Sequence, residues 1–140
     1  MDKKAIIKKV YNELNQVGQF VLFGSTNLWL QGMPIESHDI DFVSSDEGVI
    51  AAAKIFDSKA LNKNGYMETK FEMNGVEIEV VSNSDNPHGV SLPAEDITEI
   101  DILGEKVSCA TLEHEYKFYS ALNRPKDQEK LKFLKSKINT

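Results

Sequence analysis

Behind Asp2, a residue suited to capping a first turn, apolar positions Ile6, Ile7, Val10, Leu14 and Val17 recur at helical spacing, and Gly18 offers a stop. The unbroken apolar run Phe20-Val21-Leu22-Phe23 then reads as a short buried strand, after which Gly24-Ser25 turns the chain into a brief helix through Asn27, Leu28, Trp29 and Leu30, ended by Gly32 and Pro34. From His38 to Ser44 the pattern changes to strict alternation, with Ile40 and Phe42 on one side and Asp39 and Asp41 on the other. That is the signature of a half-buried strand.

Ser45-Asp46 caps a helix carrying Val49, Ile50, Ala53, Ile55 and Phe56. Gly65 breaks toward a strand from Tyr66 to Met73, and Asn74-Gly75 is the strongest hairpin signal in the chain. The returning strand, Val76 to Val81, alternates again and puts Glu77 and Glu79 on one face. A loop containing Asn83, Asp85, Asn86, Pro87 and Gly89 follows, then a weaker hairpin of Ile97–Leu103 and Lys106–Ser108 about Gly104-Glu105. Thr111 caps a helix through Ala121, and Pro125 opens a last helix rich in lysine at its end.

A βαβ-like start joined to an antiparallel hairpin predicts an α+β fold, a mixed β-sheet with helices packed on one face and the carboxylates on the other. No repeat, low-complexity run or Pro/Gly-rich linker divides the sequence, so one domain over 1–140 is expected, closing with a helix pair over about 111–138. A chain of this size buries roughly 70% of its unfolded surface, enough for one core.

Composition narrows the choice of partner. Sixteen Lys and Arg against twenty-two Asp and Glu give a formal charge of −6, which disfavours broad nucleic-acid binding because that depends on neutralising many phosphates. Arg124 is the single arginine, and five lysines from Lys126 to Lys137 crowd the end of the chain. No stretch is apolar for the roughly 20 residues a membrane helix needs, and Met1-Asp2-Lys3-Lys4 leads into a mixed helix; the expected location is cytoplasmic. Cys109 has no partner for a disulfide and reads as a small buried hydrophobe. His38, His88 and His114 form no ligand set, and no zinc is expected.

Chemistry concentrates at two points. Asp39 and Asp41, two apart on a strand, project to one side with their Cα atoms roughly 6.5 Å apart. Such carboxylates repel unless a cation neutralises them, and a hard ion such as Mg²⁺, completed by substrate phosphates, suits them. An exposed edge strand with two harmless charges would carry the same pattern. Just upstream, the strand ending at Gly24-Ser25 makes a corner where backbone and hydroxyl can hold a phosphate, although an ordinary helix cap would use the same Ser25.

Together, Gly24-Ser25, thirteen intervening residues and Asp39-Ile40-Asp41-Phe42 resemble the signature of the polymerase-β-type nucleotidyltransferase superfamily, in particular its small members that modify lincosamide or aminoglycoside antibiotics. The resemblance implies a third carboxylate on a later strand. Gly75-Val76-Glu77-Ile78-Glu79-Val80 fits that context, with Glu79 assigned by position and Glu77 as the fallback. It also implies a lysine on the penultimate helix and an Arg-x-Lys-Asp element before the last one, matched by Lys117 and by Arg124-Pro125-Lys126-Asp127. Lys117 pairing with Glu113, and Lys126 and Asp127 as solvated helix-start charges, are the plainer readings of these residues.

The resemblance thus implies Mg²⁺, two ions in the full arrangement, held by Asp39, Asp41 and Glu79. It implies an NTP such as ATP as substrate, contacted by Gly24, Ser25, Lys117, Arg124 and Lys126, with an acceptor hydroxyl attacking the α-phosphate and pyrophosphate leaving. The sequence departs from the pattern in having Glu where a third Asp is usual, and Ile35 and Glu36 where relatives often carry a base. A toxin-type enzyme acting on RNA or protein, and a nucleotide- or partner-binding module with little turnover, are the alternatives. A homodimer or a partner chain completing the site is a further expectation.

Overall fold

The computed structural model describes residues 2–34, 37–84 and 90–139. Ile35 and Glu36, and the loop positions Asp85, Asn86, Pro87, His88 and Gly89, lie outside the described residues. Asp2 caps helix α1 (Lys3–Leu14) by accepting from the Ala5 amide at 2.9 Å, and the helix buries Ile6, Ile7, Val10 and Leu14. It stops one turn before the expected end. Val17 is 47% exposed and sits in a turn closed by its amide donating to the Leu14 carbonyl.

Strand β1 (Val21–Phe23) leads into helix α2 (Ser25–Leu30), then strand β2 (Asp39–Ser44), helix α3 (Asp46–Ile55), the two-residue β3 (Leu61–Asn62) and the hairpin of β4 (Met67–Met73) and β5 (Val76–Ser82). A second hairpin, β6 (Ile97–Ile102) and β7 (Glu105–Ala110), precedes helices α4 (Leu112–Leu122) and α5 (Gln128–Ile138). Among the described residues seven strands form one mixed sheet in the order β3-β4-β5-β2-β1-β7-β6. β2 runs parallel to β5 and β1 parallel to β7, while the other neighbours are antiparallel.

The two-residue period of the strands divides the apolar residues between two faces. Leu22, Ile40, Phe42, Ile78, Val80, Val107 and Cys109 join α1 and α3 in the main core on one face, whereas α4 departs from the expected single helical face and meets the other. Val21, Phe23, Val43, Val81 and Ala110 belong to a second cluster on the opposite face, and there Phe118 of α4 packs edge-on to Phe23. Leu28 of α2, Tyr119 of α4 and Leu134 of α5 make a third cluster that fastens the C-terminal pair beside that face.

Local chemistry fixes the joints. Ser45 caps α3 by accepting from the Gly48 amide, and Thr111 caps α4 by accepting from the His114 amide. The turn at Asn74-Gly75 holds both residues at positive φ, as a tight hairpin demands. The second hairpin turns at Leu103-Gly104, one residue earlier than expected, since Ile102 pairs with Glu105. Leu103 accepts a left-handed conformation there, with the Gly104 amide held by Asp101 at 2.9 Å. Pro125 opens a short 3₁₀ turn, and the regular helix α5 follows it.

Gly48 sits inside α3, where alanine would ordinarily add about 1 kcal/mol of stability. A Cβ at this position would stand 1.9 Å from Ser44 Oγ and 2.9 Å from Ser44 Cβ. Ser44 is itself held by donating to the Gln19 carbonyl at 2.7 Å. Gly48→Ala is therefore expected to destabilise the protein by roughly 1–3 kcal/mol, the range of an overpacked core, as read by urea denaturation. An unchanged or higher denaturation midpoint would show that Ser44 yields without loss.

Candidate active site

At the end of β1 the backbone passes through Gly24 with φ of 82°, a conformation that favours glycine. A Cβ there would lie 3.0 Å from Asp41 Oδ2, so the absent side chain is what lets this corner approach the acid. Cross-strand register puts Asp41 beside Phe23 of β1 on one flank and beside Glu79 of β5 on the other. Asp39 is level with Glu77 by the same pairing. Parallel neighbours lie about 4.8 Å apart, so Asp41 and Glu79 share one face at close range.

Thr26 of α2 donates its hydroxyl to the Asp39 carbonyl and so ties the corner to β2. Ser37 donates to Asp39 Oδ1 at 3.0 Å. The result is a cavity of about 390 Å³ lined on the sheet side by Gly24, Ser25, Asp39, Asp41 and Glu79, and on the helical side by Arg124, Lys126 and Lys130, with Tyr66 and Tyr119 also on its wall.

Glu79 rather than Glu77 lines this cavity; Glu77, one pair further along the strands, is exposed. Burial, reinforced by Asp39, Glu79 and Glu77, pushes the Asp41 carboxyl up to about 8. Glu79 is also raised, by burial and then by Glu68, against the pull of Lys70, whose ammonium lies 4.0 Å from Glu79 Oε2. Among the described residues no three His, Cys, Asp or Glu side chains converge as a formed metal cage. The acids line one cavity without being drawn to one point.

Lys117 does not line the cavity. It is exposed on α4, where its charge falls on His114, because the face of α4 turned inward carries Glu115, Phe118, Tyr119 and Leu122, and Lys117 lies off that stripe. Arg124 and Lys126 do reach the wall.

Three residues outside the predicted set of site residues complete the arrangement. Glu115 is fully buried and its Oε2 accepts from the Gly24 amide at 2.7 Å, which commits that N–H to α4 rather than to a ligand. Among the described residues its Oε1 has no hydrogen-bond partner, and burial pushes the carboxyl up to about 8 despite the bond from Gly24. The Tyr119 hydroxyl is hydrogen-bonded with the Ser25 side chain. Lys130 enters from α5.

Asp127, the last residue of the Arg-x-Lys-Asp element and in the plainer reading a solvated helix-start charge, is fully buried and accepts from Arg124 Nε at 2.5 Å and Lys130 Nζ at 3.3 Å. Burial alone would raise its carboxyl, but these two cations outweigh that and hold it below the ordinary carboxylate range. A signal for Glu115 existed in the sequence: with Leu112, Tyr119 and Leu122 it falls on one apolar helical stripe, where an acid is out of place unless partnered.

Neither the family models nor the curated proteins compared with the sequence give a match. Solved structures do. A Thermotoga maritima protein assigned as a nucleotidyltransferase superposes with a TM-score of 0.70 at 22% identity, over 91% of this chain and 89% of that one. The lincosamide antibiotic adenylyltransferase LnuA, with lincomycin bound, gives 0.68 at 18% identity, over 97% of each chain. ANT(2'')-Ia in complex with adenylyl-2''-tobramycin gives 0.68 at 15% identity, over 97% of this chain and 89% of the other. The mixed sheet, its strand order and the glycine corner therefore form the fold shared with these nucleotidyltransferase structures.

Proposed function

We propose that the protein is a Mg²⁺-dependent nucleotidyltransferase that moves a nucleoside monophosphate from an NTP to a hydroxyl of a small acceptor and releases pyrophosphate. The observation that carries this reading is the in-register placement of Asp41 and Glu79 on adjacent strands, with Asp39 on the same wall, across one cavity from Arg124 and Lys126. The donor set fits a hard divalent ion: three carboxylate side chains face one space, and Asp41 is raised first by burial and then by its acidic neighbours, a conflict such an ion relieves. Asp39, Asp41 and Glu79 would hold Mg²⁺, which when bound supplies charge neutralisation at the phosphates.

The chain's own groups do the rest. Ser25 and the backbone beyond Gly24 seat the phosphates at the corner, while Arg124 and Lys126 attract the polyphosphate from the helical wall. Glu79 accepts the proton of the acceptor hydroxyl as its oxygen forms the new bond to the α-phosphorus, and the bond from that phosphorus to the bridging oxygen breaks to release pyrophosphate. The acidic strand wall and the net charge of −6 favour an acceptor carrying amino groups. Two of the similar structures hold lincomycin and adenylyl-2''-tobramycin, in keeping with this choice.

A second reading, a nucleotide-binding module of the same fold with little turnover, draws support from the acids that do not converge among the described residues. One experiment separates the two. The protein is incubated with each of the four labelled NTPs, Mg²⁺ and a panel of lincosamide and aminoglycoside acceptors, and pyrophosphate release is followed. Acceptor-dependent release is the expected result. Nucleotide binding without release would favour the module, and absence of both binding and release with all four NTPs would overturn both readings. Light scattering during the titration reports whether a second copy completes the cavity.

A further inference from the structure

The cavity has two chemically opposite walls. Its strand side presents Asp39, Asp41 and Glu79, and its helical side presents Arg124, Lys126 and Lys130. The cations are not loose surface charges. Asp127, with no exposed surface, gives one carboxylate oxygen to Arg124 and the other to Lys130, so one negative charge fixes two positive ones and leaves a local surplus facing the cavity.

Lys130 is held on a second side as well, with its ammonium 4.7 Å from the centroid of the Tyr119 ring. Its side chain is 22% exposed and lines the cavity. An ammonium carries three donors, and the buried carboxylate takes one of them. The remaining donors belong to an aimed point charge at the wall opposite the acids, where the charge of a nucleotide's outer phosphates is best placed.

We propose that Lys130, turned into the cavity by the positioning residue Asp127, contacts the outer phosphates of the bound nucleotide and sets the preference of the site for a triphosphate over a monophosphate. This rests on the nucleotide-binding reading above. A purely structural ion pair at the start of α5 is the competing account, and it would affect all ligands alike.

The test is calorimetric titration, in the presence of Mn²⁺, of wild type, Lys130→Gln and Lys130→Arg with ATP, GTP, CTP and UTP, followed by the matching monophosphate of the tightest binder. Melting curves of all three proteins accompany it. Lys130→Gln is expected to weaken triphosphate binding at least tenfold while changing monophosphate binding less than twofold, and Lys130→Arg to recover most of the loss. Equal weakening for triphosphate and monophosphate, or triphosphate binding unchanged in Lys130→Gln, would overturn the assignment while leaving the nucleotide-binding reading intact. No binding of any NTP by wild type would overturn the underlying reading, and this proposal with it.

Discussion

Asp41→Asn is expected to stabilise the metal-free protein at neutral and alkaline pH while removing nucleotide transfer. Folding moves the Asp41 carboxyl from an ordinary value near 3.8 up to about 8, because burial and the surrounding acids disfavour its charge. The favourable, protonated state is therefore fully present in the folded protein below about pH 4, and the stability it contributes falls as pH rises through about 8. Asparagine resembles the protonated form at every pH.

The variant and wild type should then melt together near pH 4 and separate progressively above it. Each pKa unit corresponds to about 1.4 kcal/mol, and with local relaxation a gain on the order of 2 kcal/mol is expected at about pH 8, several degrees in Tm for a domain of this size. Millimolar Mg²⁺ should raise the Tm of wild type and leave Asp41→Asn nearly unchanged, since only the former gains by binding. Transfer should fall by about 10²–10³-fold or more, the scale seen when a charge-stabilising group is lost. A variant less stable than wild type at pH 8 would show that the acid is not under electrostatic load in the fold. Unaltered transfer would remove Asp41 from the site.

Such an opposition between stability and activity is what a site built from like charges entails. Phe42 and Ile40 fix β2 into the main core, so Asp39 and Asp41 have no freedom to turn away from the second face. The alternation that made the dyad recognisable in the sequence is the same alternation that forces the acids together.

That coupling also explains which parts of the protein were legible from sequence. The strand, glycine corner and short helix over residues 20–30, and the Asp39-Ile40-Asp41 alternation, are local patterns whose period survives in the fold. The Asn74-Gly75 hairpin is local as well. The choice between Glu77 and Glu79 was not, because it depends on the register of β5 against β2, a parallel pairing set by distant packing rather than by a turn. Short β3 carries no readable period in two exposed residues.

Lys117 and Lys130 show the same limit on helices. Both are lysines near the chain's end, and the rotation of α4 and α5 about their axes, set by Tyr119 and Leu134 packing on Leu28, decides that Lys130 meets the cavity and Lys117 meets solvent. Asp127 could be read as a solvated helix-start charge only while the two cations that surround it were unknown.

Glu115 provides the second large effect, and it separates hydrogen bonding from charge. Its Oε2 accepts the Gly24 amide inside a site with no solvent access, so Glu115→Ala leaves that N–H buried without a partner and opens a cavity as well. Losses of roughly 1–3 kcal/mol for the orphaned donor, added to the packing loss, predict destabilisation of about 3 kcal/mol or more by urea denaturation. Glu115→Gln keeps a carbonyl acceptor for Gly24 and removes the ionisation.

Folding raises the Glu115 carboxyl from 4.5 up to about 8, so the stability it contributes is complete below about pH 4.5 and is lost as pH passes through 8. Glu115→Gln should accordingly match wild type near about pH 5 and exceed it near about pH 9, whereas Glu115→Ala should be weaker at both. Because Gly24 is the residue that brings the backbone against Asp41, the alanine variant should also bind nucleotide less tightly than the glutamine variant, even when both are fully folded. If Glu115→Gln proves as unstable as Glu115→Ala at pH 5, the carboxylate has a partner other than the Gly24 amide, and the support it lends the corner must be assigned elsewhere.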